Sequence, residues 1–168
     1  MAIVSTDIKF YLSGGADNTD PNASLGGVIS TTEITDNTLH NLFDKVSAGE
    51  AQTGDTEYRA IFIKNTHASL TLTGAKVYIQ TNTPSTDTSV QISVATEDGS
   101  PIQTIADEST APTGQTFYNA DGESNALSLG DLAAGAVKGL WIKRIVSSNA
   151  SAYANDSVVI KVVGETEA

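Results

Sequence analysis

His40 and His67 are the chain's only imidazoles, set among twenty carboxylates. A Ser-His-Asp site is defined by geometry and can assemble from any positions, but no local signature supports one. There is no Gly-x-Ser-x-Gly elbow and no His-Glu-x-x-His pair. His40 falls in the neighbourhood of an apolar stripe, and His67 falls in a turn, "NTHAS". With so many acids, accidental carboxylate pairs are easy to form. Glycoside hydrolysis needs two of them about 5–10 Å apart beside a sugar cleft, and such clefts are generally lined with aromatic rings. Trp141 is the only tryptophan and sits in the apolar run "GLWIKR", which reads as core. Cysteine is absent, which excludes disulfides, thiolate zinc sites and cysteine nucleophiles together.

The polar stretch "YLSGGADNTDPNASLGGVIS", from Tyr11 to Ser30, offers more options. Asp17, Asn18, Asp20 and Asn22 could supply oxygens to calcium. That ion wants six to eight ligands, and the EF-hand spacing with its terminal Glu is missing. Asn and Asp in such a stretch more ordinarily bond their own backbone in turns. "SGG" and "LGG" lack the spacing of a phosphate-binding loop, so these glycines are expected to serve positive φ. Asn22, Asn149 and Asn155 head glycosylation sequons, which carry weight only on a secretory route. With these chemistries set aside, residues 13–27 read as a contact arm or long loop. Laid along another subunit, it would use Ala23, Leu25 and Val28 as small anchors and pay its ordering entropy on contact.

Alternating strands must carry whatever function there is. Ile8, Phe10 and Leu12 alternate with Lys9 and Tyr11. Tyr58, Ala60 and Phe62 alternate with Arg59, Ile61 and Ile63, apolar on both faces, as in a central strand. Leu70 and Leu72 share a face, Gly74 marks a bulge, and Val77 and Ile79 resume. Further strands are expected at Val90–Val94, Leu127–Leu129, Leu140–Ile145 and Val158–Val163. One helix is predicted from about Asn37 to Val46, capped by Asp36, with Leu39, Leu42, Phe43 and Val46 as its stripe. Segments 81–89 and 108–125 read as exposed loops. The result is an all-β chain: a β-sandwich or jelly-roll-like fold with one short helix and an extended N-terminal segment. A single domain spans residues 1–168.

Composition narrows the partners. Ser and Thr supply 38 residues and the net charge is −11. Between Lys76 and Lys138 there is no basic residue, while eight acids fall there: Asp87, Glu97, Asp98, Asp107, Glu108, Asp121, Glu123 and Asp131. A nucleic-acid binder needs a basic footprint to displace phosphate counterions, so no nucleic-acid partner is expected. No apolar run approaches the ~20 residues of a membrane helix, and "MAIVSTDIKF" does not read as a signal peptide. The expectation is a soluble protein made in a cytoplasm, without membrane, metal or cofactor.

At "GDTEYRAIFIKNTHASLTLTGAKVYI" (residues 54–79) and "LSLGDLAAGAVKGLWIKRIVSSNASAYANDSVVIKVVGET" (residues 127–166), the chain resembles a family of tailed-bacteriophage virion structural proteins. These are small, cysteine-free β-sandwich proteins. "FYLSGGADNTDPNASLGG" has the same style. The motifs are a Tyr58-Arg59 strand, an Asn65-led turn, a Gly139-Leu-Trp-Ile strand and the Ala152-Tyr-Ala-Asn-Asp segment; none is a catalytic signature. The resemblance implies a capsid decoration, or cement, protein that binds the outer shell and stabilises it against internal pressure. Its partners would be the phage major capsid protein and further copies of itself, in a trimer on local three-fold axes by analogy. Its location would be the outer surface of the virion. The alternative is a carbohydrate- or receptor-binding sandwich module of a phage tail or fibre. That reading requires Tyr11, Tyr58, Tyr78, Tyr118 and Tyr153 to gather on one face.

Overall fold

The computed structural model describes residues 2–166. Strand makes up 42% and helix 9% of the chain, in three antiparallel sheets. The strands are β1 (Ile8–Ser13), β2 (Gly26–Gly27), β3 (Ile29–Glu33), β4 (Asp55–Asn65), β5 (Leu72–Thr81), β6 (Thr88–Val94), β7 (Ile102–Thr104), β8 (Leu127–Leu132), β9 (Val137–Val146) and β10 (Val159–Thr166). A five-stranded sheet has the order β3-β1-β4-β9-β6, a three-stranded sheet the order β10-β5-β8, and β2 pairs with β7.

The β4–β9 ladder is the axis of the fold. It runs in unbroken register from Asp55↔Val146 to Lys64↔Val137. Successive strand residues point to opposite faces, and here both faces are apolar. Ile61, Ile63, Leu140 and Ile142 face the three-stranded sheet and meet Val77, Ile79 and Leu129 in the main core. Ala60, Phe62 and Trp141 face the other way and join Ile102, Ile105 and Ala95 in a second cluster, with Tyr11, Tyr58, Leu25 and Phe117 packed around it. One layer of this second cover is the β2–β7 pair with its flanking loops.

The stretch 13–27 therefore folds back on its own chain. Its glycines at 14, 15, 26 and 27 all have positive φ. At Gly26 a Cβ would lie 1.9 Å from the Gln103 carbonyl oxygen, so only glycine lets the two backbones meet. Where β1 stops pairing with β4, the Ser24 carbonyl accepts from Ala60 N–H at 2.8 Å, extending the sheet edge. Ser13 Oγ donates to the Ala60 carbonyl and accepts from Gly26 N–H. Leu25, expected as an anchor for a neighbouring subunit, packs into the second cluster, while Ala23 and Val28 are exposed.

The predicted helix at residues 37–46 is absent. Asn37 and His40 take left-handed φ values of 55° and 58°, and the segment is irregular. Leu39 is exposed while Leu42 is buried and Phe43 packs on the main core, so the stripe never forms one face. The helix is one step later, α1 (Ala48–Thr53), where Ser47 and Glu50 close a capping box. The Gly74 bulge is present, with the β5–β8 register slipping between Leu72 and Ala75.

Trp141 is fully buried, and its Nε1–H has no hydrogen-bond partner among the described residues. Trp141→Ala is expected to cost roughly 3–5 kcal/mol, a fall in melting temperature on the order of ten degrees. Trp141→Phe keeps most of the ring and removes the unpaired donor, so its cost should stay below about 1.5 kcal/mol. Thermal melts of both variants check this. Equal melting of parent and Trp141→Ala would mean the indole is not part of the core.

Candidate functional site

The residues singled out for chemistry are dispersed. His40 is exposed. His67 Nδ1 accepts from Ser69 N–H at 3.1 Å and Leu70 N–H at 3.0 Å, closing the turn that Asn65 opens. Asn65 itself is buried, with Nδ2 donating to the carbonyls of Leu70 and Leu132. In "DNTDPN" the side-chain oxygens of Asn18 and Asp20 serve the backbone, and Asp17 is exposed. Asn18 Oδ1 accepts from Asp20 N–H and Asp20 Oδ1 from Asn22 N–H, both at 2.9 Å. Asn22 Oδ1 turns inward to Arg59 Nη2 at 3.2 Å.

That last bond leads to the strongest cluster of ionisable groups among the described residues. β4 alternates Glu57, Arg59, Ile61, Ile63 along one face, so the main core ends in two charges. Arg144 on β9 stands directly opposite Glu57. Its Nε and Nη2 both contact Glu57 Oε2, and its Nη1 donates to the Asp44 carbonyl at 2.7 Å. The Arg59 guanidinium, wholly buried, pairs with Glu108, whose side chain is 43% exposed. Phe43 meets both cations, its ring centroid 5.3 Å from Arg59 Cζ and 4.8 Å from Arg144 Cζ. Cation–π attraction of this kind is strongest where water is excluded.

Three carboxylates, Asp44, Glu57 and Glu108, bring one oxygen each within 4.8 Å of one another. On spacing alone this resembles a cation site. Two guanidinium groups already stand among the three acids, donating to Glu57 and Glu108, with Arg144 lying 3.6 Å from the Asp44 carboxylate, which leaves one formal negative charge. A hard cation would have to displace them, and it prefers more oxygens than three. The donor set fits an ion-pair network.

The network is costly to bury, and it shows in Glu57. Burial pushes its carboxyl above the ordinary value, the adjacent Arg144 pulls it part of the way back, and Glu108 pushes it up again. Glu57 Oε1 and Arg59 Nε have no hydrogen-bond partner among the described residues. A raised carboxyl in a cleft could act as a general acid, but Glu57 is buried, at 1% exposure. Two surface grooves, one lined by Asp98, Leu129, Asp131 and Lys138 and one by Ser93, Gln115, Tyr118 and Ser128, lie elsewhere. Neither reaches the network. What the network does is tie chain segments together: Asn22 from the N-terminal loop, Phe43 and Asp44 from the irregular segment, and Glu108 from the loop after β7. Tyr58 N–H adds a 2.7 Å bond to the Glu108 carbonyl.

The tyrosines do not form one platform. Tyr78 is buried, Tyr11 and Tyr58 pack against the second cluster, and only Tyr118 and Tyr153 are more than half exposed. No helix among the described residues is long and apolar enough to cross a membrane. Compared with protein-family models, curated proteins and solved structures, the chain matches none.

The folded protein holds the Glu57 proton more tightly than the unfolded chain does. Stability linked to the neutral form is fully present below the ordinary value of 4.5 and is lost as pH rises through the raised folded value. Glutamine is neutral at every pH. The melting-temperature difference between Glu57→Gln and the parent should therefore move in favour of the variant from about pH 4 to about pH 7. A move the other way would mean that Arg144 outweighs burial.

Proposed function

We propose that this chain is a virion structural protein, a decoration protein that binds the outside of a phage capsid shell and stabilises it. The observation that carries this reading is the inward use of its strongest chemistry. The acids and bases that could have built a reactive or metal site are spent fastening loops to the central strands. A protein organised in this way is suited to being a rigid body with contact surfaces.

Charge supports the outer location. A net charge of −11, with eight acids between Lys76 and Lys138, suits a surface remote from packaged DNA. The mechanism is non-covalent bridging. Capsid subunits must stay joined while packed DNA pushes outward, and a clamp across their joints raises the cost of separating them. The resemblance of residues 54–79 and 127–166 to phage virion proteins points the same way.

The test uses phage particles lacking the protein, to which the purified chain is added back. It should co-sediment with DNA-filled heads and raise the temperature at which they release DNA. Attachment to isolated tails or fibres with none to heads would overturn the capsid reading in favour of a tail module. Failure to bind any part of the particle would overturn the virion assignment.

A further inference from the structure

Sheet edges expose unpaired backbone groups and invite pairing with another chain, so proteins usually cover or interrupt them. The two principal sheets have four edges. β3 is covered by the chain's own loop: Thr31 N–H donates to the Ala16 carbonyl and Gly15 N–H to the Val28 carbonyl, both at 3.0 Å. β6 is covered by Tyr118, which exchanges two 2.9 Å backbone bonds with Ile92. β8 is interrupted by Gly130, at φ 75°, with its register to β5 broken. The fourth edge, β10, is different.

β10 is eight residues long and contains no proline. Its pairing with β5 slips twice, but the extra residue lies on β5 each time: Val159↔Thr81 is followed by Ile160↔Ile79, and Val163↔Lys76 by Glu165↔Thr73. β10 itself is regular. Ile160 and Val162 pack on the main core, and a Cβ on Gly164 would lie 2.7 Å from Leu72 Cγ, so the even-numbered row faces inward. The outward row is Val159, Lys161, Val163 and Glu165. Among the described residues, no hydrogen bond outside the β5 ladder involves the backbone of residues 159–164. Neither Lys161 nor Glu165 has an ion-pair partner there.

We infer that β10 is a self-pairing edge that joins two copies of this chain antiparallel about Val163. The outward row is self-complementary about that residue. A two-fold axis there sets Lys161 opposite Glu165 of the second copy, twice, with Val163 against its own equivalent. Directly opposed side chains in an antiparallel pair have Cβ atoms about 4.5–5.5 Å apart, near enough for opposite charges to help and like charges to hinder. The three-stranded sheets of the two copies then become one continuous sheet. The contact is isologous and closes at two copies. It does not rest on the capsid reading.

The experiment is sedimentation velocity on the full chain, from low micromolar to sub-millimolar concentration. The parent should dimerise. Lys161→Glu sets acid against acid and Glu165→Lys sets base against base, so each should weaken the dimer on the order of tenfold. The double swap, Lys161→Glu with Glu165→Lys, should restore it. Mixing the two single variants should also restore it, because each then presents the charges the other lacks. The mixture controls for folding, since a misfolded chain is not rescued by mixing. A parent that stays monomeric throughout overturns the inference. So does an oligomer indifferent to the single changes, or single variants that weaken and do not recover on mixing.

Discussion

A strand pair that is apolar on both faces cannot be finished by a two-layer sandwich. The β4–β9 ladder sets Ile61, Ile63, Leu140 and Ile142 on one side and Ala60, Phe62 and Trp141 on the other. Each side has to be covered, because leaving such side chains in water forfeits roughly 1.5–3 kcal/mol apiece. The three-stranded sheet covers the first. With no second full sheet available, the N-terminal loop and the segment around β7 cover the second. That cover explains the glycines of the N-terminal stretch, because backbone must approach backbone there, as Gly26 does Gln103.

Loops used as a core layer need fastening, since they have few ladder bonds of their own. The Arg59–Glu108 pair and the Arg59–Asn22 bond fasten both of them at one end of the sandwich, and Arg144, paired with Glu57, holds the irregular segment of Phe43 and Asp44 on the main-core side. Buried ion pairs are a weak source of net stability, because desolvation offsets much of the attraction. Their geometry is nonetheless exacting. Each segment is joined to a guanidinium in a fixed position on β4 or β9, and the unpaired Glu57 Oε1 and Arg59 Nε mark the residual cost. A body fastened this way suits a protein that acts through its surfaces.

Much of this fold was legible in the sequence. Alternation located β1, β4, β5, β6, β8, β9 and β10, and Gly74 announced the bulge in β5. The strands that alternation missed, β2, β3 and β7, are short and rich in Gly, Ser and Thr, and their pairing depends on distant backbone. The helix was misplaced because Leu39, Leu42, Phe43 and Val46 imitate a stripe. The Ser47–Glu50 capping box was the better local signal. Residues 13–27, expected as a contact arm or long loop, lie in the structure as a loop against the second apolar face of β4, a need for cover that local spacing does not display. The ion network was half legible: Glu57 and Arg59 interrupt an otherwise apolar face. Their partners Asp44, Glu108 and Arg144 come from far along the chain, and no spacing rule connects them.

The second cover by the chain's own loops is tested most directly by amide hydrogen exchange on the free protein. The amides of Gly26, Ala60 and Ile105 bond to Ser13 Oγ, the Ser24 carbonyl and the Leu25 carbonyl. They should be protected alongside those of the β4–β9 ladder, because loop and ladder form one packed unit. Exchange at free-peptide rates at these three amides, with the other β4–β9 amides still protected, would contradict the account: residues 13–27 would then be an arm awaiting a partner.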